Sequence, residues 1–179
     1  MKRYLLTAAG RDRAGLVAAV SKTLFDNGCN LEDSAMTRLQ GEFAVLVIFS
    51  GPAKVAGVER ALRALGKKTG LAIHLKPLTA REARAPRNAD NGVLVTVYGV
   101  DRPGIVHRVT ALLAKAKVNI TDLTTHRTAA PGTPSGYILY VEGEAPTGLA
   151  PAALETSLRA GVAELGVTLN VKPLATQAL

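Results

Sequence analysis

Apolar residues follow two spacings along this chain, and each spacing predicts one kind of secondary structure. Four segments repeat an apolar residue every three or four positions, as the buried side of an amphipathic helix does. These positions are Leu16, Val17, Val20 and Leu24, then Val55, Val58, Leu62 and Leu65, then Ile105, Val106, Val109 and Leu112, and finally Leu154, Leu158, Val162 and Leu165. Short apolar runs between turn residues predict strands. They cover residues 4–9, 34–39, 43–49, 71–76, 93–99, 121–128, 137–141 and 167–172.

The order of these elements is the same in both halves of the chain, and two short segments repeat as well. Residues 12–17 read DRAGLV and residues 101–106 read DRPGIV, an offset of 89 positions. At the same offset, CNLED at residues 29–33 returns as VNITD at residues 118–122. A fixed offset over separate segments indicates two copies of one folding unit.

Each copy has the element order βαββαβ, which predicts a ferredoxin-like α+β unit with an antiparallel sheet and both helices on one face. We expect two such units in tandem, unit one at residues 1–80 and unit two at residues 92–179. Residues 81–91 are charged and contain Pro86, so we expect a linker there. In unit two, residues 129–134 are expected to lengthen the hairpin between the second and third strands.

The third predicted strand of unit one is apolar at odd and even positions alike, reading FAVLVIF over residues 43–49. A strand of this kind is buried on both faces, whereas the helices of a ferredoxin-like unit cover only one. We therefore expect another unit, in this chain or in a second copy, to cover the other face. Isolated residues 1–80 are expected to be unstable or to self-associate, and a homo-oligomer is one expected state of the chain.

The chain carries 22 Lys and Arg residues against 14 Asp and Glu, and most of the excess lies in unit one. The second predicted helix of that unit has a basic cluster of Lys54, Arg60, Arg63, Lys67 and Lys68. Such a helix can face nucleic acid or an acidic partner, or it can be a solvated surface. We expect the solvated surface and no direct nucleic-acid binding, because no aromatic residues interleave for base stacking.

The sequence offers no credible catalytic or metal site. His74, His107 and His126 lack the spacing of metal ligands, and no Ser/His/Asp arrangement or phosphate-binding loop is present. Cys29 is matched by Val118 in the repeat, which indicates a buried small side chain rather than a nucleophile. We therefore expect no enzyme activity, no metal and no cofactor. A single cysteine and the lack of a membrane-length apolar run favour a cytoplasmic protein.

The order of strand, Asp-Arg-x-Gly turn, helix, and Asn followed by an apolar residue resembles the ACT domain, a small regulatory module that binds amino acids. Both repeats show this order, so the resemblance covers nearly the whole chain. Residues 28–34, 41–43, 49–51 and 125–131 are similar to the glycine cleavage system transcriptional repressor family, which has tandem ACT domains and no DNA-binding domain. The resemblance implies a regulator that senses a small amino acid, glycine first, and acts on a partner transcription activator.

The loop before the first helix of each unit is one half of the expected ligand site. Asp12 and Asp101 precede the helix, where a carboxylate can cap free backbone N–H groups, our first interpretation, or pair with a ligand ammonium. Gly15 and Gly104, placed in the first helical turn, allow either close packing of helix on strand or room for a ligand carboxylate. The remaining candidates in these loops are Arg13, Leu16, Arg102 and Ile105.

The asparagine between the first helix and the second strand is the other half of the expected site. Asn30 and Asn119 both donate and accept hydrogen bonds, so either could satisfy an ammonium or a carboxylate. The alternative is a local cap between the helix end and the strand. The ACT resemblance implies a ligand contact here, which we extend to the next residues, Leu31 and Ile120.

These expectations combine into the hypothesis of a tandem-ACT regulatory protein that binds a small amino acid between its units. Two alternatives stay open, a separate regulatory subunit of an amino-acid-metabolising enzyme and a direct nucleic-acid-binding protein. Recovery of an enzyme rather than a transcription factor as the partner would favour the first alternative. A steep salt dependence of DNA binding would favour the second.

Overall fold

The computed structural model describes residues 2–52, 55–82, 91–128 and 135–174 of the 179-residue chain. Within it the chain divides into two compact units, Met1–Pro86 and Arg87–Leu179. Each unit has its own sheet and its own hydrophobic core. Residues 83–90 of the expected linker and the expected longer hairpin loop at residues 129–134 lie outside the described residues.

Unit one consists of four strands and two helices in the predicted order. They are β1 (Lys2–Arg11), α1 (Leu16–Asp26), β2 (Asn30–Leu39), β3 (Glu42–Gly51), α2 (Ala56–Thr69) and β4 (Ala72–Pro77). Every pairing in the sheet is antiparallel, and the strands lie in the order β2-β3-β1-β4. Only Gln40 and Gly41 separate β2 from β3, so this short turn fixes the register of the hairpin.

Unit two repeats this topology. Its elements are β5 (Gly92–Val100), α3 (Ile105–Lys115), β6 (Asn119–Thr128), β7 (Gly136–Glu144), α4 (Pro151–Val162) and β8 (Thr168–Pro173). Leu165, which we assigned to the last α-helix, lies in a short 3-10 helix at Ala163–Leu165 that follows α4. The antiparallel strands lie in the order β6-β7-β5-β8. Pro151 begins α4, where its fixed φ suits a helix and its missing N–H leaves no bond unmade. The prediction of an α+β chain with two ferredoxin-like units in tandem is confirmed.

The core of each unit forms where the helices pack on one face of the sheet. The buried residues of the first helices are Leu16, Val20 and Leu24 in α1 and Ile105, Val109 and Leu113 in α3. Full burial of one such side chain contributes about 1.5–3 kcal/mol to folding. Val17, which we assigned to the apolar stripe, is 51% exposed. It follows Leu16 by only one position and is therefore turned away from the sheet.

Strand β3 is not buried on both faces within this chain. Phe43, Val45, Val47 and Phe49 are buried against the helices, whereas Leu46 on the opposite face is 49% exposed. The prediction of two buried faces is wrong for the single chain, because α1 and α2 lie on the same side of the sheet. An apolar surface therefore remains on the side without helices.

Strands β2 and β6 begin earlier than predicted. They start at Asn30 and Asn119, and the register of both shifts around the third residue, Glu32 in β2 and Thr121 in β6. A bulge of this kind inserts one residue and breaks the alternation that marks a strand in sequence. The two asparagines are therefore the first residues of their strands and do not lie in a preceding loop.

Candidate functional site

The first helix of each unit begins after a glycine in the left-handed region of backbone conformation. Gly15 precedes α1 with a φ of 89°, and Gly104 precedes α3 with a φ of 95°. Both are the residue before the helix and do not belong to its first turn. No side chain caps either helix start. The interpretation of Asp12 and Asp101 as N-caps is therefore wrong, because each lies three residues before the capping position.

The positive φ explains why glycine is found at these two positions, since a side chain there would be strained. A Cβ placed on Gly15 or Gly104 meets no atom within 4 Å. Close packing of helix on strand, one of the two interpretations from sequence, is therefore wrong. The position that a side chain would occupy at each of these glycines is therefore open.

In unit one this open space borders backbone N–H groups that have no partner within the helix. The first helical hydrogen bond joins the N–H of Ala19 to the carbonyl of Gly15 at 2.9 Å. The N–H groups of Leu16, Val17 and Ala18 therefore make no helical bond, and the positive end of the helix dipole lies with them. They adjoin an open cavity of about 480 Å³, which is within the range of small-molecule sites. The cavity is also lined by Asp12, Arg13, Ser21, Met36 and Phe43.

Each helix-start loop contains a carboxylate paired with an arginine from the end of the second strand. Asp12 Oδ2 lies 3.6 Å from Arg38 Nη1, and Asp101 Oδ2 lies 2.7 Å from Arg127 Nη2. The two aspartate side chains are 28% and 25% exposed, so solvent reaches them. Sequence reasoning missed both arginines. The signal was available, because Arg38 and Arg127 stand at the same 89-residue offset as the aspartates.

The loops are held in place by the hairpin between the second and third strands. The backbone N–H of Asp12 donates to the carbonyl of Gly41 at 2.9 Å, and that of Asp101 donates to Ser135 at 2.8 Å. The main chain of each aspartate is thus fixed while its carboxylate stays partly exposed. This arrangement positions the carboxylate without closing the loop over it.

The loop arginines do not share one role. Arg13 Nη2 donates to the carbonyl of Thr69 at 3.1 Å, at the end of α2, where its charge opposes the negative end of the helix dipole. Arg102 is exposed and makes no side-chain hydrogen bond or ion pair with the described residues. In unit two a different side chain joins the helices, since Arg108 Nε donates to the carbonyl of Gly161 at 3.0 Å.

The apolar residues among the site candidates divide into buried and accessible ones. Leu16 and Ile105 are 3% and 2% exposed and belong to the cores, so only their backbone N–H groups can meet a ligand. Leu31 is 40% exposed on β2. Ile120 is partly buried against the core of unit two.

Asn30 and Asn119 lie at the opposite end of the sheet from the helix-start loops. Asn30 pairs with Ser50 near one end of β3, whereas Gly10, just before the loop, pairs with Phe43 at the other end. Seven residues of extended strand separate Phe43 from Ser50, a distance on the order of 20 Å. Neither asparagine side chain hydrogen-bonds to a described residue, so the local cap is not formed. One unit therefore does not bring both halves of the expected site to the same ligand.

Other reactive groups do not gather into a site in the described part of the chain. Cys29 is buried, and burial raises the pKa of its thiol, which keeps it protonated and unreactive. No three His, Cys, Asp or Glu side chains among residues 2–52, 55–82, 91–128 and 135–174 are placed to hold a metal ion.

The basic cluster on α2 is on the surface. Arg60, Arg63, Lys67 and Lys68 are exposed, and Lys54 lies outside the described residues. Lys67 and Lys68 occupy the last turn of the helix, where positive charge is favoured by the helix dipole. Among the helices that the structure describes, none has the length and apolar character needed to cross a membrane.

Comparison with known proteins places this geometry in a family. The model of the ACT domain matches residues 2–76 and 91–172, one match in each unit. The glycine cleavage system transcriptional repressor of Escherichia coli (strain K12) is 30% identical over 175 residues, which cover 95% of this chain and 90% of that relative. UPF0237 protein MJ1558 of Methanocaldococcus jannaschii is 32% identical over 76 residues, which cover 41% of this chain and 84% of that relative.

A solved structure shows the same tandem arrangement of elements over nearly the full length. The crystal structure of an unknown protein from Galdieria sulphuraria aligns with a TM-score of 0.81 and 28% sequence identity. The alignment covers 97% of this chain and 99% of that one. The likeness therefore extends to both repeats and not only to a single βαββαβ unit.

Proposed function

This chain belongs to the ACT domain family, and from that premise we propose that it is an amino-acid-sensing regulatory protein. The proposed ligand site is the cavity at the start of α1, with the equivalent loop before α3 as its counterpart. The proposal rests on one observation, which is that an uncapped helix start and an accessible carboxylate border the same open space.

The chemistry of that space suits an α-amino acid. Such a ligand carries a carboxylate and an ammonium on one carbon atom. The free N–H groups of Leu16, Val17 and Ala18 would bind the carboxylate, as helix starts bind anions elsewhere. Asp12 would accept a charge-assisted hydrogen bond from the ammonium, while the ion pair with Arg38 keeps the Asp12 carboxylate in position. A zwitterion therefore meets a complementary group at each of its charges.

We propose glycine as the first ligand to test, and a transcription activator protein as the partner. Support comes from the relative that covers nearly the whole chain, which is a glycine cleavage system transcriptional repressor. The ligand would alter partner binding only through a difference in its affinity for two arrangements of the protein. A coupling of about 1–3 kcal/mol corresponds to a roughly 5–150-fold change in partner affinity. No catalytic step is needed for such a switch.

Titration calorimetry of the full-length chain with glycine and serine tests the ligand site. We expect glycine to bind the wild type. The combined variant Asp12→Asn, Asp101→Asn should bind glycine at least about tenfold more weakly, because the ammonium then meets a neutral amide oxygen and not a carboxylate. The matched control is Asp26→Asn, which breaks the 2.9 Å ion pair to Lys22 on the solvent side of α1. This control is expected to bind glycine like the wild type.

Circular dichroism of each variant confirms that it is folded before its affinity is interpreted. A wild type that binds no amino acid would contradict the sensing function itself. A wild type that binds, with a folded double variant that binds equally well, would contradict the assignment of the site to the helix-start loops.

The asparagines are tested in the same calorimetric series. A ligand next to Gly15 reaches an asparagine like Asn30 only if a further ACT unit supplies it, given their separation along the sheet. If another unit does supply it, Asn30→Ala or Asn119→Ala would cost about 1–3 kcal/mol of glycine binding, the penalty for an unpaired polar group. Unchanged affinity in both variants would restrict the site to the helix-start loop alone.

A further inference from the structure

We propose that this chain forms a dimer through the outer face of the unit-one sheet, covered by the same face of a second copy. The outer face is the side of the sheet that points away from α1 and α2. Its central residues are Leu5, Thr7, Ala35, Ala44, Leu46 and Ile48. The inference goes beyond amino-acid sensing and does not depend on it.

The outer face is apolar at its centre although nothing in its own unit covers it. Leu46 is 49% exposed, and Leu5 and Ile48 are only partly buried. Together with Ala35 and Asp33 they line a shallow depression of about 220 Å³. Large apolar side chains grouped on an open sheet face mark an interaction surface. This surface also explains why β3 is apolar at every position from Phe43 to Phe49.

The charges at the edges of the face match those of a second copy. One row of directly paired residues crosses the sheet, from Asp33 on β2 through Ile48 and Leu5 to Lys76 on β4. Two copies can stack these faces about a two-fold axis that lies between the two sheets, runs parallel to the strands and passes between β3 and β1. The row of one copy then lies over the same row of the other copy in the reverse order. Asp33 of one copy then faces Lys76 of the other, and Ile48 faces Leu5. Carboxylate therefore meets ammonium at both edges, and aliphatic side chains meet between them.

The edge charges are available for this pairing. The carboxylate of Asp33 makes no ion pair with the described residues of its own chain. Lys76 Nζ contacts Glu82 Oε1 at 2.6 Å and remains half exposed, so it can bind a second carboxylate. Hydrogen bonds from Lys76 and Thr79 lower the pKa of Glu82 to about 2. Glu82 is therefore an anion that competes with a partner's carboxylate for Lys76. The substitution Glu82→Gln removes this competing charge.

The outer face of a unit-two sheet would fit the outer face of unit one less well than a second unit-one face does. The equivalent row in unit two runs from Asp122 through Glu142 and Leu94 to Lys172. Glu142 stands where unit one has Ile48. Such a face laid on unit one in the same way would bury this carboxylate against Leu5 without a partner, which is costly. Self-pairing of the unit-one face avoids that cost.

The size of the face sets the expected strength of the dimer. Four strands and about seven residues along each give an area of roughly 20 Å by 20 Å, or about 400 Å² per copy. This is smaller than the roughly 800 Å² per partner of a typical stable interface. We therefore expect a weak dimer that dissociates on dilution.

Sedimentation velocity of the full-length chain over a dilution series tests the surface. Leu46→Asp places a charge at its centre and is expected to raise the dissociation constant at least about tenfold. The matched control is Tyr140→Asp, since Tyr140 holds the equivalent position in unit two and is 39% exposed. We expect this control to dimerise like the wild type. The readout is the sedimentation coefficient at each concentration, so it is independent of any result on glycine binding.

Exchanging the charges of Asp33 and Lys76 tests the two-fold arrangement. This experiment still tests the dimer if the Leu46→Asp variant does not fold. All variants are made with Glu82→Gln, so that Lys76 has no competing carboxylate in its own unit. Asp33→Lys alone and Lys76→Asp alone are each expected to weaken the dimer roughly fivefold, because like charges then face each other. Both changes together are expected to restore it to within about twofold.

Three results would overturn the proposal. The first is a wild type that stays monomeric at several hundred μM. The second is a dimer weakened as much by Tyr140→Asp as by Leu46→Asp. The third is a double charge exchange whose dissociation constant is no closer to the reference than those of the single variants.

Discussion

Gly15 and Gly104 show how one residue sets the geometry of the candidate site. Their left-handed backbone turns the chain from the aspartate loop into the helix without placing any side chain in front of the free N–H groups. A capping serine or aspartate at this position would itself accept a hydrogen bond from those groups. Glycine therefore permits the turn and at the same time leaves the N–H groups of the helix start free of a side-chain cap.

Replacement of these glycines measures the strain directly. Gly15→Ala and Gly104→Ala are each expected to lower the free energy of unfolding by about 1–2 kcal/mol, the usual cost of a left-handed residue with a Cβ. Gly41→Ala is the control, because its surroundings are equally open but its φ is not left-handed. Urea denaturation of the full chain followed by circular dichroism gives the values. Equal effects at Gly15 and Gly41 would argue against the backbone explanation.

For single residues, the sequence predicted which side chains line the candidate site better than it predicted their positions in the fold. Asp12 and Gly15 were found because they repeat, and Arg38 could have been found in the same way. The separation between Gly15 and Asn30 could not, because it depends on the antiparallel path of β1 and β3, and no spacing along the chain records it. The N-cap interpretation failed because Asp12 is held by Arg38 and lies before the actual helix start.

The end of α2 packs closely against the chain that enters β4 because Gly66 has no side chain. A Cβ on Gly66 would lie 2.8 Å from the carbonyl oxygen of Leu71, so only glycine lets the end of α2 approach the strand that follows it. Gly57, near the start of the same helix, has no atom closer than Asn27 Oδ1 at 4.0 Å. A side chain therefore has no room at Gly66 but has room at Gly57, in the same helix.

Alanine at these two positions is expected to change stability in opposite directions. Gly66→Ala should destabilise the protein by about 1–3 kcal/mol, because the backbone of Leu71 must move. Gly57→Ala should stabilise it by up to about 1 kcal/mol, since alanine is the better helix former and finds free space. Thermal unfolding of both variants beside the wild type measures the difference. A destabilising Gly57→Ala would show that α2 is constrained at its start as well.

The order of the strands and α-helices could be predicted from apolar spacing, whereas the 3-10 helix at Ala163–Leu165, the strand boundaries and burial could not. The bulges at Glu32 and Thr121 hide the first residues of β2 and β6 from a rule based on alternation. The apolar run of β3 predicted two buried faces, but sequence does not state what lies on the second face. In the single chain that side is solvent, which is why Leu46 is exposed.

On the scale of the whole molecule, the two units have separate cores built from equivalent residues. Leu24 and Leu113 stand at the repeat offset, and both are completely buried, each in the core of its own unit. Sequence predicted this duplication from two short matching segments. A fold with two cores can lose order in one of them while the other stays intact.

Leu24→Ala and Leu113→Ala test that independence. Each is expected to cost about 2–5 kcal/mol, from lost burial and the cavity left behind. Hydrogen exchange followed by mass spectrometry should show reduced protection in peptides of the substituted unit only. Spread of the effect of Leu24→Ala into α3 and β5 would show that the two cores are coupled.

The repeated pair of aspartate and arginine has a consequence for the history of the protein. An internally duplicated gene begins with two identical copies of every surface, and each copy is then free to drift while the other keeps the original task. Both halves still encode Asp12–Arg38 and Asp101–Arg127, whereas Ile48 and its counterpart Glu142 have diverged. The two loops therefore keep the same pair of residues, whereas the two sheet faces differ in charge. A substitution that removes the pair from one loop leaves the other pair intact, so the effect of one loop can be measured while the other is unchanged.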